Sequence, residues 1–243
     1  MMAYEGPAMK ILTWNVLHRV HAERHSEPAI ERWPDEQGRV RGITALIARA
    51  LTVEGFDVAL LQEVSGDVLA ALRAQLPGHA VLNHLYPRVP RAKSDSLRDP
   101  TEHLVVIAPL GAKIALEHTF ANDPGKGFLS VELPDGTTVV STHVSWGANG
   151  AAQLEVLAQV LHDAQGAVGL GGDFNARREV IEKALGAHVG LLPEGSGRTR
   201  PQKDGGEDID HLLCTNATLR EVTVLEHGEL SDHRPVAGTL CPT

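Results

Sequence analysis

Apolar runs of strand length recur along the whole chain, and polar or turn-forming residues follow each of them. Short apolar runs bounded in this way predict buried strands. The predicted strands are residues 10–17, 57–62, 79–85, 104–108, 113–120, 128–133, 137–144, 167–172, 209–214, 219–225 and 235–240. Asp135-Gly136 separates two of these runs, which indicates a β-hairpin.

Helical spacing of apolar residues is confined to a few segments. It runs from Val40 to Glu54, where Gly55 predicts the end of the helix. Residues 68–76, the Leu-rich stripe at 154–161 and residues 176–187 are also predicted to be helical, whereas the polar segments 18–34, 86–101 and 193–208 are predicted to be loops. Many strands with few interleaved helices favour an α/β fold of two packed sheets with helices outside.

Composition adds limits to this picture. The 243 residues are 42% hydrophobic and 22% charged, which suits one large α/β domain or two small ones; one domain is expected at 10–243 after a tail at 1–9. The net charge of −9 argues against a broad basic face for duplex nucleic acid. Cys214 and Cys241 form neither a zinc motif nor a disulfide scaffold. Without a secretory signal or a membrane-length apolar run, the expectation is a soluble, cytoplasmic monomer.

Polar side chains stand where six of the predicted strands begin or end, a common position for functional residues. Each has an ordinary structural reading too, such as a turn, a helix cap or a satisfied core histidine. The six segments are Thr13-Trp14-Asn15, Gln62-Glu63, Thr142-His143, Gly172-Asp173-Phe174-Asn175, Ile209-Asp210-His211 and Ser231-Asp232-His233-Arg234. Together their carboxylate and amide groups suit a hard cation with oxygen ligands, and no zinc spacing such as His-Glu-x-x-His occurs.

In this order, the six motifs resemble those of the endonuclease/exonuclease/phosphatase superfamily, which includes DNase I-like nucleases and the deadenylase/nocturnin group. The resemblance covers nearly the whole chain. It implies a four-layer α/β sandwich in which two mixed β-sheets pack face to face between helices, with the site at one end. The segment Ile30–Pro34 and Asn15-Val16-Leu17 are similar to the deadenylase/nocturnin branch.

The same resemblance implies roles for the motif residues. Glu63, Asn15 and Asp232 would hold Mg²⁺, with Mn²⁺ as an alternative ion. Asp173 would orient or deprotonate the attacking water, and Asn175 would hold that water or a phosphate oxygen. His143 and His233 would bind phosphate and transfer protons, with Asp210 orienting His233. Glu102 matches a family glutamate that pairs with the other histidine, although His103 replaces the usual small residue after it.

Taken together, the three predicted loops contain ten Lys and Arg against nine Asp and Glu, whereas the rest of the chain is acidic. Either these charges are ordinary solvated ones or they receive an anionic substrate. The candidates for substrate binding are Arg88, Arg91, Lys93, Arg198, Arg200 and Lys203, together with Trp33 as a stacking surface for a base. His18, His21 and His25 stand about one helical turn apart, which is compatible with a second metal site but more typical of a polar loop.

These patterns favour a Mg²⁺-dependent phosphoester hydrolase acting on a phosphorylated substrate such as a nucleotide, an RNA 3′ end or a small molecule. Two other functions stay open. One is a DNA endonuclease or exonuclease, and the other is a non-catalytic module that binds phosphorylated ligands.

Overall fold

The computed structural model describes residues 7–91, 94–186, 188–190, 197–201 and 205–243. Twelve strands and six helices are assigned within these ranges. The strands are β1 (Met9–Asn15), β2 (Val58–Ser65), β3 (His79–Leu85), β4 (Glu102–Pro109), β5 (Lys113–Thr119), β6 (Gly127–Glu132), β7 (Thr138–His143), β8 (Val168–Asp173), β9 (His188–Val189), β10 (Asp210–Thr215), β11 (Ala217–Val224) and β12 (Val236–Pro242). The helices are α1 (Arg19–His25), α2 (Pro28–Arg32), α3 (Glu36–Thr52), α4 (Gly66–Gln75), α5 (Gly147–His162) and α6 (Arg178–Leu185).

The strands form two mixed six-stranded sheets. The first has the order β11-β12-β1-β2-β4-β3 and the second β5-β6-β7-β8-β10-β9. Each sheet contains one parallel pair at its centre, β1 with β2 and β7 with β8, and the other pairs are antiparallel. Asn15, Glu63, His143 and Asp173 lie at or near the carboxyl ends of these four central strands. The topology therefore gathers them at one end of the molecule.

Three apolar clusters hold four layers together. The cluster between the sheets joins Ile11 and Leu60 of the first to Leu129 and Leu212 of the second. A second cluster packs α3 and α4 on the outer face of the first sheet, and a third packs α5 and α6 on the outer face of the other. This arrangement confirms the predicted α/β sandwich, in which helices cover both sheets. No helix in the described ranges combines the length and apolarity that a membrane crossing requires.

The prediction of a loop at 18–34 is wrong, because two short helices occupy it. The side chain of His18 caps α1 by accepting from the N–H of Val20, and Ser26 ends the helix at φ 55°. Pro28 stands in the first turn of α2, where its missing N–H costs no hydrogen bond. Leu17, Ala22 and Ala29 form a small buried cluster beneath both helices. The sequence did not indicate this cluster, because the segment is mainly polar and two of the three buried residues are alanines.

Apart from the two-residue strand β9, which no predicted element covers, the remaining differences from the predicted elements are at their boundaries. Helix α3 begins at Glu36 rather than Val40, because Asp35 caps it by accepting from the N–H groups of Gln37 and Gly38. Helix α4 begins at Gly66 rather than Val68 for the same reason, with Ser65 as the cap.

Candidate active site

Asn15 and Glu63 come from the two central strands of the first sheet. Glu63 has φ 55° and lies where the register between β2 and β4 shifts between Leu61 and Val64. Such a bulge re-aims a side chain. Asn15 Nδ2 donates to Glu63 Oε1 (3.2 Å) and to Asp173 Oδ2 (3.0 Å), so one amide group joins carboxylates from both sheets. The other oxygen of Glu63 accepts from the N–H of His18 (2.9 Å).

The orientation of Asn15 bears on its predicted role as a metal ligand. Its Oδ1 accepts from the N–H of Leu17 (3.0 Å), so the group that faces the carboxylates is the NH₂. In this arrangement Asn15 positions Glu63 and Asp173 rather than offering an oxygen to a cation.

Asp173 ends β8, and Asn175 follows it with φ 47°. The N–H of Asn175 donates to Asp173 Oδ1 (3.0 Å) and its Nδ2 donates to the carbonyl of Val144 (2.8 Å). Asn175 thus lies beyond the end of β8, and the turn that follows the strand brings it beside Asp173. The glycine before Asp173 allows β7 and β8 to approach closely, because a Cβ on Gly172 would lie 2.0 Å from the backbone oxygen of Thr142.

His143 reaches the same point from the second sheet. Its Nε2 lies 3.3 Å from Asp173 Oδ2 and 3.9 Å from Glu63 Oε1. Lys126, on the loop before β6, places its Nζ against the same ring nitrogen. No sequence motif pointed to Lys126, and the only signal is a lysine between Gly125 and Gly127 just before a strand.

His233 is paired with Asp210. Its Nδ1 lies 3.0 Å and 2.9 Å from the two oxygens of Asp210, and its Nε2 lies 3.8 Å from both Asp173 and Asp232. Trp14 Nε1 donates to the carbonyl of His233 (2.9 Å), which fixes the His233 segment on β1. Asp210 therefore orients the ring so that its other nitrogen faces the cleft.

The protonation state of each of these groups is set by its contacts with the others. Burial raises the pKa of Glu63 and of Asp173, but nearby histidines and Lys126 outweigh it and hold both values well below the usual range. Burial lowers the pKa of His233, but the carboxylates of Asp210, Asp232 and Asp173 outweigh it and raise the value to about 10. The site thus contains ionised carboxylates beside a protonated imidazole at neutral pH.

The carboxylate of Asp232 forms an ion pair with an arginine. Arg200 Nη2 lies 3.0 Å from Asp232 Oδ2 and 3.3 Å from Glu27 Oε1. Arg200 had been a candidate for substrate binding, and it does line the cleft, but its guanidinium is shared between two carboxylates. A cation at Asp232 would have to compete with this arginine.

The expected pairing of Glu102 with the second histidine is wrong. Glu102 Oε2 accepts from His21 Nε2 (3.0 Å) and lies 3.8 Å from Arg88, while His143 Nδ1 has no partner among the described residues. Helix α1 brings His21 over the start of β4, a placement that a predicted loop could not supply. His103, the unusual neighbour of Glu102, contacts Asn83 and Thr101.

The three histidines of α1 do not form a metal site. The rings of His18 and His21 lie 5.4 Å apart, but His21 contacts Glu102 and His18 is the buried cap of the helix. His25 lines the cleft. In the described ranges, the one cluster with metal-ligand spacing is Asp173, Asp210 and His233.

The other substrate-binding candidates have different positions. Arg88 lines the catalytic cleft and Arg91 a neighbouring cavity. Trp33 is half-buried against the core cluster of α3 and α4 and does not line the cleft. Arg198 pairs with Asp208 and lines a separate pocket. Lys93 and Lys203 lie outside the described residues.

The donor set fits a hard divalent cation. Glu63 is ionised, only 12% of its side chain is exposed, and carboxylate oxygens are the ligands that Mg²⁺ prefers. In the cluster of Asp173, Asp210 and His233, the last two residues bind each other, so Glu63 is the better candidate to hold a cation.

The sequence matches the model of the endonuclease/exonuclease/phosphatase family over residues 12–233, which includes all six motifs except the end of the last. The chain belongs to this family. Like the other members of the endonuclease/exonuclease/phosphatase family, it is a hydrolase of phosphoric esters. Among curated proteins, no sequence matches it.

Solved structures of this family share the fold over nearly the whole chain. An endonuclease/exonuclease/phosphatase from Bacteroides vulgatus has a TM-score of 0.71 at 15% identity, covering 97% of this chain and 99% of that one. ANGEL2, a 2′,3′-cyclic phosphatase in complex with adenosine-2′,3′-vanadate, has a TM-score of 0.69 at 14% identity, covering 99% and 97%. The human nocturnin catalytic domain with bound sulfate has 0.63 at 17%, covering 96% and 94%.

Proposed function

We propose that this enzyme is a Mg²⁺-dependent phosphatase or phosphodiesterase acting on nucleotides, RNA ends or small phosphorylated molecules. The observation that supports this most directly is the meeting of Glu63 and Asp173 on one amide of Asn15, beside His143 and His233. The cleft around them has a volume of about 240 Å³, which suits a small substrate or a chain end. The adenosine vanadate bound by the similar ANGEL2 supports a nucleotide-like substrate.

Each group in the cleft has a role in in-line attack by water. Asp173 accepts the proton of the attacking water, and the N–H and side chain of Asn175 keep that carboxylate and its loop in place. His233, protonated and held by Asp210, stabilises negative charge on the phosphoryl oxygens and can donate a proton to the leaving oxygen. Glu63, with Asp232 nearby, would hold a divalent cation, which would supply further charge stabilisation when bound.

The test is hydrolysis of a substrate panel with Mg²⁺ and with EDTA. The panel contains 3′- and 5′-nucleotides, short RNA, abasic-site duplex DNA and sugar phosphates. We expect turnover of single-stranded or small substrates, loss in EDTA, and recovery on adding Mg²⁺ or Mn²⁺. Cleavage confined to duplex DNA would show that the protein is a DNA endonuclease instead. Binding of phosphorylated ligands without any turnover would show that it is a non-catalytic module.

Glu63→Gln is expected to raise the Mg²⁺ concentration needed for half-maximal activity, because it removes one charge from the proposed metal ligand. The measurement is a Mg²⁺ titration of the hydrolysis rate. Glu132→Gln, at an exposed position of β6, is the control and should leave the titration unchanged. An unaltered Mg²⁺ requirement in Glu63→Gln would place the cation elsewhere.

Lys126→Ala is expected to lower kcat/KM by about 10- to 100-fold, the scale of one hydrogen bond to a charged group. Lys126 contacts His143 and lines the cleft, where its ammonium can pair with a phosphate oxygen. Lys113→Ala, which removes an exposed lysine from β5, is the matched control. Equal rates for both variants would show that Lys126 only balances the charge of the carboxylates.

The pKa of His233 provides a test of its pairing with Asp210. In the metal-free protein, we expect NMR titration to show a protonated ring up to a pH of about 10, and Asp210→Asn to titrate at lower pH. Since the folded pKa lies above the ordinary value of 6.5, the pairing contributes its full stability below pH 6.5 and loses it as the pH rises through about 10. Similar titrations of both proteins would contradict the pairing.

A further inference from the structure

A second cavity adjoins the catalytic cleft. Its volume is about 390 Å³, and the described residues that line it are Val20, His21, Arg24, Arg88, Val89, Pro90 and Arg91. Three of these, His21, Arg24 and Arg88, also line the catalytic cleft. The two spaces therefore adjoin across these three side chains, and a molecule that extends past them would contact both.

The lining of this cavity is unusually basic for a chain with a net charge of −9. It contains three arginines and a histidine but no carboxylate among its described residues. Arg24 and Arg91 are exposed and form no ion pair within the described part of the chain. Arg88 has only long contacts to Asp123 (3.4 Å) and Glu102 (3.8 Å), with 38% of its side chain exposed. Three guanidinium groups thus retain donors for a ligand.

The walls of the cavity are held in place by polar contacts. On one side, Glu23 of α1 accepts hydrogen bonds from the hydroxyls of Ser94 (2.7 Å) and Ser96 (3.3 Å). On the other, the N–H of Arg88 donates to the carbonyl of Pro124 (3.3 Å), and its guanidinium lies over Gly125, where a Cβ would be only 2.0 Å away. These contacts fix α1 and the backbone at Arg88, which reduces the cost of ordering these two walls on binding.

We propose that this cavity is a second anion site, formed by Arg24, Arg88 and Arg91, which binds a phosphate group of the substrate other than the one hydrolysed. The inference rests on the proposed function and narrows its substrate class. The proposed substrate is a compact molecule with two phosphate groups, one at His143 and His233 and one among the arginines of the adjoining cavity. The apolar floor of Val20, Val89 and Pro90 leaves room for the carbon skeleton between the two groups.

Binding measurements in EDTA test this site without catalysis. Calorimetric titration compares adenosine 3′,5′-bisphosphate with adenosine 3′- and 5′-monophosphates, and fructose 1,6-bisphosphate with fructose 6-phosphate, so that the two arms separate nucleoside from sugar sources. We expect at least one bisphosphate to bind about tenfold or more tightly than its monophosphates. This preference should decrease at high salt, because the arginines are exposed.

Variants assign the preference to the cavity. The double variant Arg24→Gln/Arg91→Gln should bind bisphosphates and monophosphates with similar affinity, whereas Arg41→Gln, an exposed arginine of α3, should keep the wild-type preference. Equal affinity for the two classes in the wild type, or a preference that survives the double variant, would overturn the inference. If the protein hydrolysed no phosphoester but kept the preference for bisphosphates, the proposed function would be refuted, whereas the second anion site would still be supported.

Discussion

Asp173→Asn is expected to lower kcat by about 10²- to 10⁴-fold, the range associated with a positioned general base. The substitution keeps the size of the side chain and its place beside Asn15 and Asn175, but removes the negative charge that lies 3.3 Å from His143 and 3.8 Å from His233. The pKa of Asp173 is held far below its usual range, so the wild-type carboxylate is ionised at any working pH. The measurement is steady-state hydrolysis at saturating Mg²⁺.

The control for this experiment is Asp163→Asn, which removes an exposed carboxylate at the end of α5. Its kcat should equal that of the wild type. Thermal unfolding of both variants shows whether a loss of rate reflects chemistry or folding. A kcat for Asp173→Asn within twofold of the wild type would assign the base to another group, with His143 the first to examine.

The sandwich was predictable because its inner strands are apolar on both faces. Strands β2, β4 and β8 are buried along almost their whole length between a helix layer and the opposite sheet. Such runs stand out from the polar segments that follow them. Helices α1 and α2 were not predictable, because their folding depends on a few small apolar residues and on caps whose effect is visible only in the structure.

The site residues divide in the same way. Asn15, Glu63, His143, Asp173 and His233 lie in motifs at strand ends, and the sheet topology brings such ends together. Their partners follow from helix placement and loop conformation, which carry no motif. The sequence therefore could not show that Glu102 contacts His21, that Arg200 pairs with Asp232, or that Lys126 contacts His143.

A buried arginine links this fold to the geometry of the site. Arg39 of α3, 1% exposed, donates to the carbonyls of Val16 (2.9 Å), Leu17 (2.7 Å) and Leu230 (2.9 Å) and pairs with Glu36. The segment from Val16 to His18 carries the N–H that binds Glu63, and Leu17 adopts φ 59° there. Arg39 thus fixes the backbone that positions the proposed metal ligand.

Arg39→Met is expected to destabilise the protein by about 3–5 kcal/mol, because it leaves the buried Glu36 with only the 3.5 Å contact to Arg19 and three carbonyls without a donor. Glu36→Gln/Arg39→Met should recover part of this loss, since the stranded charge is gone, while Arg41→Met on the exposed face of α3 should change stability by less than about 0.5 kcal/mol. The measurement is urea unfolding of all three. If Arg39→Met unfolds with the wild-type free energy, the backbone at Val16–His18 must be held by its own turn and not by α3, and the site would then owe its geometry to β1 and β2 alone.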